Sequence, residues 1–175
     1  MSFAAAFFDR DGVINRSPGD GYVLKLEDFH LNAGLVEALR LLKAKGFLTA
    51  VVTSQRCVGR GLNTRQELDA IHEKMQSELA REGVAFDAIY VFTGEPGTED
   101  WEKPKPGMIE AAVAEHDIDL TKSLLIGDAD RDIQMAKNAN IPTTIRVRTD
   151  KPIGIAADHT ISDLRELAPL LESIL

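Results

Sequence analysis

The stretch Ala4-Ala5-Ala6-Phe7-Phe8-Asp9-Arg10-Asp11-Gly12-Val13 constrains the fold more than any other part of the chain. A short apolar run, which reads as a buried strand, stops at two carboxylates one residue apart and then a glycine. In extended backbone Asp9 and Asp11 point the same way, with Arg10 turned aside. At ~4 Å two such charges repel by roughly 4 kcal/mol at an effective dielectric of about 20. Asp and Gly are also common turn residues, so the segment alone leaves two readings open, a plain turn and a cation site.

The rest of the chain alternates strand-like and helix-like segments. Residues 14–29 are rich in Gly, Pro, Asp and Ser early on and read as a flap, since long loops in compact domains are often functional. Asn32 is a candidate N-cap for a helix carrying Leu35, Leu39 and Leu42, closed by Gly46. Phe47 to Val52 reads as the second strand, ending in Thr53-Ser54-Gln55. A glycine-bearing loop follows, then a helix from Thr64 to Gly83, a strand from Phe86 to Phe92 and an irregular loop from Thr93 to Pro106. A helix over Gly107 to His116, a strand over Ser123 to Ile126, a helix over Ala129 to Asn140 and a strand over Thr143 to Val147 complete the pattern. His159 to Ile161 forms a short sixth strand, and Leu164 to Leu175 a last helix. Such alternation predicts an α/β, Rossmann-like three-layer sandwich with a mainly parallel sheet covered on both faces, in one domain over residues 1–175.

In parallel sheets ligands bind beyond the C-terminal strand ends. That rule gathers Asp9, Asp11, Thr53, Ser54, Lys103 and Asp128 at one edge. A net charge of −8 argues against a general nucleic-acid or anionic-membrane binder, although a local cationic pocket remains compatible with a small anionic substrate. One cysteine, Cys57, permits no internal disulfide, and no stretch approaches the ~20 apolar residues of a membrane span. The N-terminus runs straight into the first strand without a signal segment, so a cytoplasmic location is expected. The chain is also expected to be a monomer.

Three carboxylates, a hydroxyl and an ammonium form a specific inventory. Asp9, Asp11 and Asp128 offer hard oxygen ligands suited to Mg²⁺, which also takes substrate phosphate oxygens. Thr53 and Lys103 can hold the remaining oxygens of a phosphoryl group. One carboxylate can attack phosphorus, and a second can protonate the leaving alkoxide and then activate water. Each residue alone has an ordinary reading: Thr53 as structure, Lys103 as a solvated loop residue, Asp128 as a helix cap. Asp132 reads as a first-turn charge or a partner for Lys103 rather than a direct ligand.

Taken together, Asp9-Arg10-Asp11-Gly12-Val13, Thr53 after an apolar strand, Lys103-Pro104, and Gly127-Asp128 through Asp132 resemble the four motifs of the haloacid dehalogenase (HAD) superfamily of phosphatases. Gly21-Tyr22-Val23, Thr53-Ser54-Gln55 with Gly59-Arg60-Gly61, and Lys103-Pro104-Lys105-Pro106-Gly107-Met108 look like its branch of heptose bisphosphate and histidinol-phosphate phosphatases. The resemblance implies a Mg²⁺-dependent phosphomonoester hydrolase that passes through an aspartyl-phosphate, with no large cap domain. It implies Asp9 as nucleophile and metal ligand, and Asp11 as general acid/base and metal ligand through its backbone carbonyl. Thr53 and Lys103 would steady the phosphoryl group, Asp128 would complete the metal site, and Arg10 and Gly12 would give backbone N–H groups to phosphate. A sugar phosphate such as a heptose bisphosphate is the expected substrate, with histidinol phosphate or a nucleotide as alternatives.

The sequence departs from that branch at three places. Thr93 to Glu102 contains neither Cys nor His, so no structural zinc is expected. Glu102 stands where arginine is usual, and an acidic residue there would repel a second phosphate. Ser54 replaces the usual asparagine. Arg56 and Arg60 are candidates for an anionic part of the substrate, with solvated surface arginine as the plain reading. Trp101 either stacks on a ring or plugs its own loop. A different class, a phospho-accepting module without turnover, would leave Asp9 phosphorylated for a partner to read, but Asp11 beside it argues for a short-lived phospho-form.

Overall fold

The computed structural model describes residues 1–175. Strands β1 (Ala5–Phe8), β2 (Leu48–Ser54), β3 (Ala88–Phe92), β4 (Leu124–Gly127), β5 (Thr143–Val147) and β6 (His159–Ile161) form one sheet in the order β3-β2-β1-β4-β5-β6. Every neighbouring pair is parallel. Helices α1 (Leu35–Ala44), α2 (Arg65–Ala80), α3 (Gly107–Glu115), α4 (Asp130–Asn138) and α5 (Leu167–Ile174) supply the crossovers that parallel pairing demands. This is the Rossmann-like three-layer arrangement that the strand–helix alternation predicts. The connections are helices and loops only, with no cap domain among them.

The period-2 alternation of β1 divides the two cores. Ala6 and Phe8 face α1, α2 and α5, through Leu39, Met75 and Leu171 among others. Ala5 and Phe7 face α3 and α4, through Met108, Ile109 and Met135. With all four β1 residues buried and apolar, the strand can stop only where the chain leaves the core. That point is Asp9, whose backbone N–H still donates to Ile126 O at 2.9 Å and so fixes where its side chain emerges.

Element ends differ from the sequence expectation where tertiary contacts compete with local preference. Strand β2 runs on through Thr53 and Ser54, because both pair with β3, opposite Val91 and Phe92. Helix α2 starts as expected, with Thr64 and Glu67 closing a reciprocal capping box. Asn32 does not cap α1. Its amide donates to Val13 O at 2.9 Å, tying the flap to the first loop, and the cap position falls to Gly34. Gly34 sits at φ 97°, and a Cβ there would lie 2.6 Å from the Arg165 backbone, so only glycine lets that corner close.

Candidate active site

The inner strands β1, β2 and β4 end side by side, and the loop before α3 folds over them. Lys103 from that loop is buried, with Nζ 2.9 Å from Asp9 Oδ1 and 2.7 Å from Asp132 Oδ1. Burial opposes a charge on either partner, yet the pairing wins for both. Lys103 is held above its ordinary value by Asp132 and Asp9, against that burial. Asp9 is held below the usual carboxylate value because the Lys103 ammonium, helped by Lys151, outweighs its desolvation. Asp9 is therefore an ionised, buried carboxylate. Asp132 earns its place at the third position of α4: its Oδ2 accepts the Asp128 and Ala129 N–H groups at 3.1 Å each, while its other oxygen grips Lys103. It thus caps the helix and orients the lysine, the partner role expected for it.

Asp11 points into a separate network. Its Oδ1 accepts from Arg10 Nε at 3.0 Å and Asn15 Nδ2 at 2.9 Å, and its Oδ2 accepts from Gln55 Nε2 at 3.2 Å. Gln55 also donates to Thr53 Oγ1 at 2.9 Å, which links the two strand ends. Burial would raise Asp11, but Arg10 and these hydrogen bonds overcome it and hold the group ionised. The Arg10 side chain is wholly buried rather than aimed at the cavity, with Nη1 3.1 Å from His72 Nε2 and the guanidinium over Phe29. The Gly12 N–H is committed to Asn15 O at 2.9 Å. Gly12 has a steric role instead. At φ 88° its Cβ would fall 2.3 Å from Asp128 Oδ2, so a side chain there would displace that carboxylate.

His72 gives the fold a measurable acid sensitivity. Burial and the guanidinium groups of Arg10 and Arg65 push its imidazole from 6.5 down to about 3, so it is neutral and accepts from Arg10. Between those values the unfolded chain binds a proton that the folded chain does not. Stability must then fall as pH drops through 6.5 towards 3, by about 3 kcal/mol at pH 4 from this group. His72→Gln keeps an acceptor without the titration, so its denaturation midpoint is expected to change less over that window. Identical pH profiles for the two proteins would refute the assignment.

Asp128 closes the cluster. One carboxylate oxygen from each of Asp9, Asp128 and Asp132 lies within 4.8 Å of the others, and all three residues are buried. The Asp11 side chain is not among them. Burial, Asp9 and Asp132 push Asp128 up to about 7, although Lys151 pulls the other way. Lys151 Nζ sits 3.1 Å from Asp128 and Thr149 Oγ1 donates to the same group at 3.1 Å. The Lys151 loop is anchored by buried Arg146, which donates to Asp128 O at 3.1 Å, Asp130 Oδ1 at 2.5 Å and Ile155 O at 2.8 Å.

Asp9, Asp11 and Lys151 open into a cavity of about 310 Å³, lined also by Tyr22, Thr53, Ser54, Arg56 and Arg131. A larger groove of about 780 Å³ runs along β3 but is lined by none of Asp9, Asp11, Asp128 and Asp132. Glu102, expected to repel a second anion, is ion-paired with Arg56, and the two charges offset each other at the rim. Arg60 lies over the Tyr22 ring, 5.9 Å from its centroid, joining two loops. Trp101 packs edge-on to Tyr90 at 6.1 Å, the plug of its own loop. Cys57 is buried and its thiol is pushed up by that burial, so it is no nucleophile. Lys151, Gln55 and Arg131 escaped the sequence reading. Lys151 follows the end of β5, so the same strand-end rule would have flagged it.

A family model described as HAD-hydrolase-like matches residues 100–167, which include Lys103, Asp128, Asp132 and Lys151. The D-glycero-alpha-D-manno-heptose-1,7-bisphosphate 7-phosphatase of Burkholderia mallei is 36% identical over 98% of this chain and 95% of its own length. The D-glycero-beta-D-manno-heptose-1,7-bisphosphate 7-phosphatase of Escherichia coli K12 is 36% identical over 95% of this chain and 92% of its own. Among solved structures, D,D-heptose 1,7-bisphosphate phosphatase from B. bronchiseptica, complexed with magnesium and phosphate, aligns over 100% of both chains at 27% identity and a TM-score of 0.82.

Proposed function

Because the chain belongs to the HAD-like hydrolases and is a phosphatase, we propose that it hydrolyses a sugar phosphate, with Asp9 as the nucleophile and magnesium as cofactor. The observation that carries this reading is the buried Lys103 bridge between Asp9 and Asp132, with Asp128 beside it. It keeps one carboxylate ionised at a strand end where an incoming phosphate can reach it.

The steps follow from the side chains. Thr53 and Lys103 orient the phosphoryl group against Asp9, and a carboxylate oxygen of Asp9 forms a bond to phosphorus as the ester P–O bond breaks. The departing alkoxide takes a proton from Asp11. In the free chain the Arg10, Asn15 and Gln55 network holds Asp11 ionised. The arriving phosphate dianion adds negative charge beside it, which raises its proton affinity, so Asp11 takes up a proton from solvent as the substrate binds and passes it to the alkoxide. Asp11 then takes a proton from water, the oxygen attacks phosphorus, and inorganic phosphate leaves Asp9 as a free carboxylate.

The donor set fits magnesium. Asp9 and Asp128 would supply hard oxygen ligands, and the burial and neighbouring carboxylates that push Asp128 up to about 7 are an excess of negative charge that a divalent cation would offset. Asp11 would add its backbone carbonyl. Asp132 stays outside, since both of its oxygens are engaged. When bound, the ion neutralises the phosphoryl oxygens and polarises phosphorus towards attack.

Phosphate release tests the reading across sugar monophosphates, sugar bisphosphates, histidinol phosphate and nucleotides. Sugar phosphates are expected to give the highest kcat/KM, with turnover abolished by EDTA and restored by Mg²⁺. Undiminished turnover in EDTA, or none on any phosphoester, would sink it.

A further inference from the structure

Three cations line the cavity, and two of them are already matched. Arg56 is paired with Glu102, and Lys151 with Asp128. Arg131 is the third. It is exposed, and no carboxylate pairs with it. Its position is a poor one for stability. It lies in the first turn of α4, where the helix dipole disfavours a cation, and its charge opposes that of nearby Lys103. Placed there, the guanidinium and the helix N-terminus bring positive charge to a cavity of small-ligand size, with the Lys103 ammonium buried behind Asp9.

Those cations differ in burial. Lys103 is buried against Asp9, where the transferred phosphoryl group would bind, whereas Arg131 is exposed and lines the cavity into which Asp9 opens. A single phosphoryl group at Asp9 is served by the deep lysine, so the outer guanidinium is free for a second anion. Glu102 does not cancel it, since Arg56 already does that to Glu102. Arginine also suits the task, because its planar fork matches two phosphate oxygens.

We propose that Arg131 receives the second phosphate of a sugar bisphosphate and sets the preference of the chain for that substrate over the corresponding monophosphate. The inference rests on the phosphatase reading above for which phosphate is cleaved, but not for the binding contact itself.

The test compares D-glycero-D-manno-heptose 1,7-bisphosphate with heptose 7-phosphate, so that the cleaved group is the same. The unmodified chain is expected to favour the bisphosphate. In Arg131→Gln the ratio of the two kcat/KM values is expected to fall about tenfold, the effect of losing one hydrogen-bonded charge. Glu102→Gln, which releases Arg56, is expected to raise the ratio. An equal loss on both substrates would place Arg131 on the transferred phosphoryl group and overturn the proposal. So would an unchanged ratio in Arg131→Gln, or no bisphosphate preference in the unmodified chain. Calorimetry on Asp9→Asn chains with Mg²⁺, with and without Arg131→Gln, reads the same contrast independently of turnover. Bisphosphate binding that depends on Arg131, together with no cleavage of either sugar by a chain that keeps Asp9, would keep this inference and overturn the phosphatase reading; no such dependence would overturn the inference.

Discussion

An Asp9→Asn chain is expected to lose turnover by roughly 10⁴-fold or more, because an amide oxygen cannot form the phospho-intermediate at a useful rate. The change removes one buried negative charge but no volume. Lys103 keeps Asp132 as a partner at 2.7 Å, so the fold is expected to survive. Loss of activity with an intact unfolding transition would separate a chemical role from a structural one. Phosphate release within tenfold of the unmodified chain would exclude Asp9 as the nucleophile.

Lys103→Met is expected to do the opposite to the balance between activity and stability, harming both. It leaves Asp9 and Asp132 buried without their shared cation, and breaking a buried pair in that way costs about 3–5 kcal/mol. For a chain of this size that is a fall in Tm of roughly 10 °C. The pH dependence follows from the two shifts. Lys103 is raised, so its stabilising contribution is full below its unfolded value and is lost as pH rises through the folded one. Asp9 is lowered, so its contribution is present above the unfolded carboxylate value and is lost as pH falls through the folded one. The deficit of Lys103→Met should therefore be widest at neutral pH and shrink in acid. Thermal unfolding in EDTA measures it, and Mg²⁺ should recover part of it by occupying the acidic cluster. A Tm within about 2 °C of the unmodified chain would show that the bridge contributes little.

Much of this was legible in the chain before its structure. Apolar runs ending in Asp9, Thr53 and Gly127-Asp128 gave the strands and the edge to which they lead, because burial on both faces leaves no other place for a carboxylate. The Lys103–Asp132 contact was legible too, as one of two readings of Asp132. What escaped depends on pairings between distant segments. Arg56 meets Glu102 only because the loops after β2 and β3 fold over the same mouth. His72 lies in the middle of α2, and nothing in its neighbours tells that Arg10 will turn inward beneath Asp11 to reach it. Asn32 has the composition of a cap, yet its amide is more valuable across the chain at Val13 than along its own helix. Local propensity places the elements, while the register of loops against one another decides which polar groups meet.

The order of the strands has a final consequence. The three that deliver Asp9, Thr53 and Asp128 are β1 and its two immediate neighbours, while β3 and β6 form the rims. Rim strands fray first, in brief local excursions that leave the interior closed. Fluctuations at either margin of this sheet therefore pass without scattering the carboxylates, and dispersing them requires the whole domain to open.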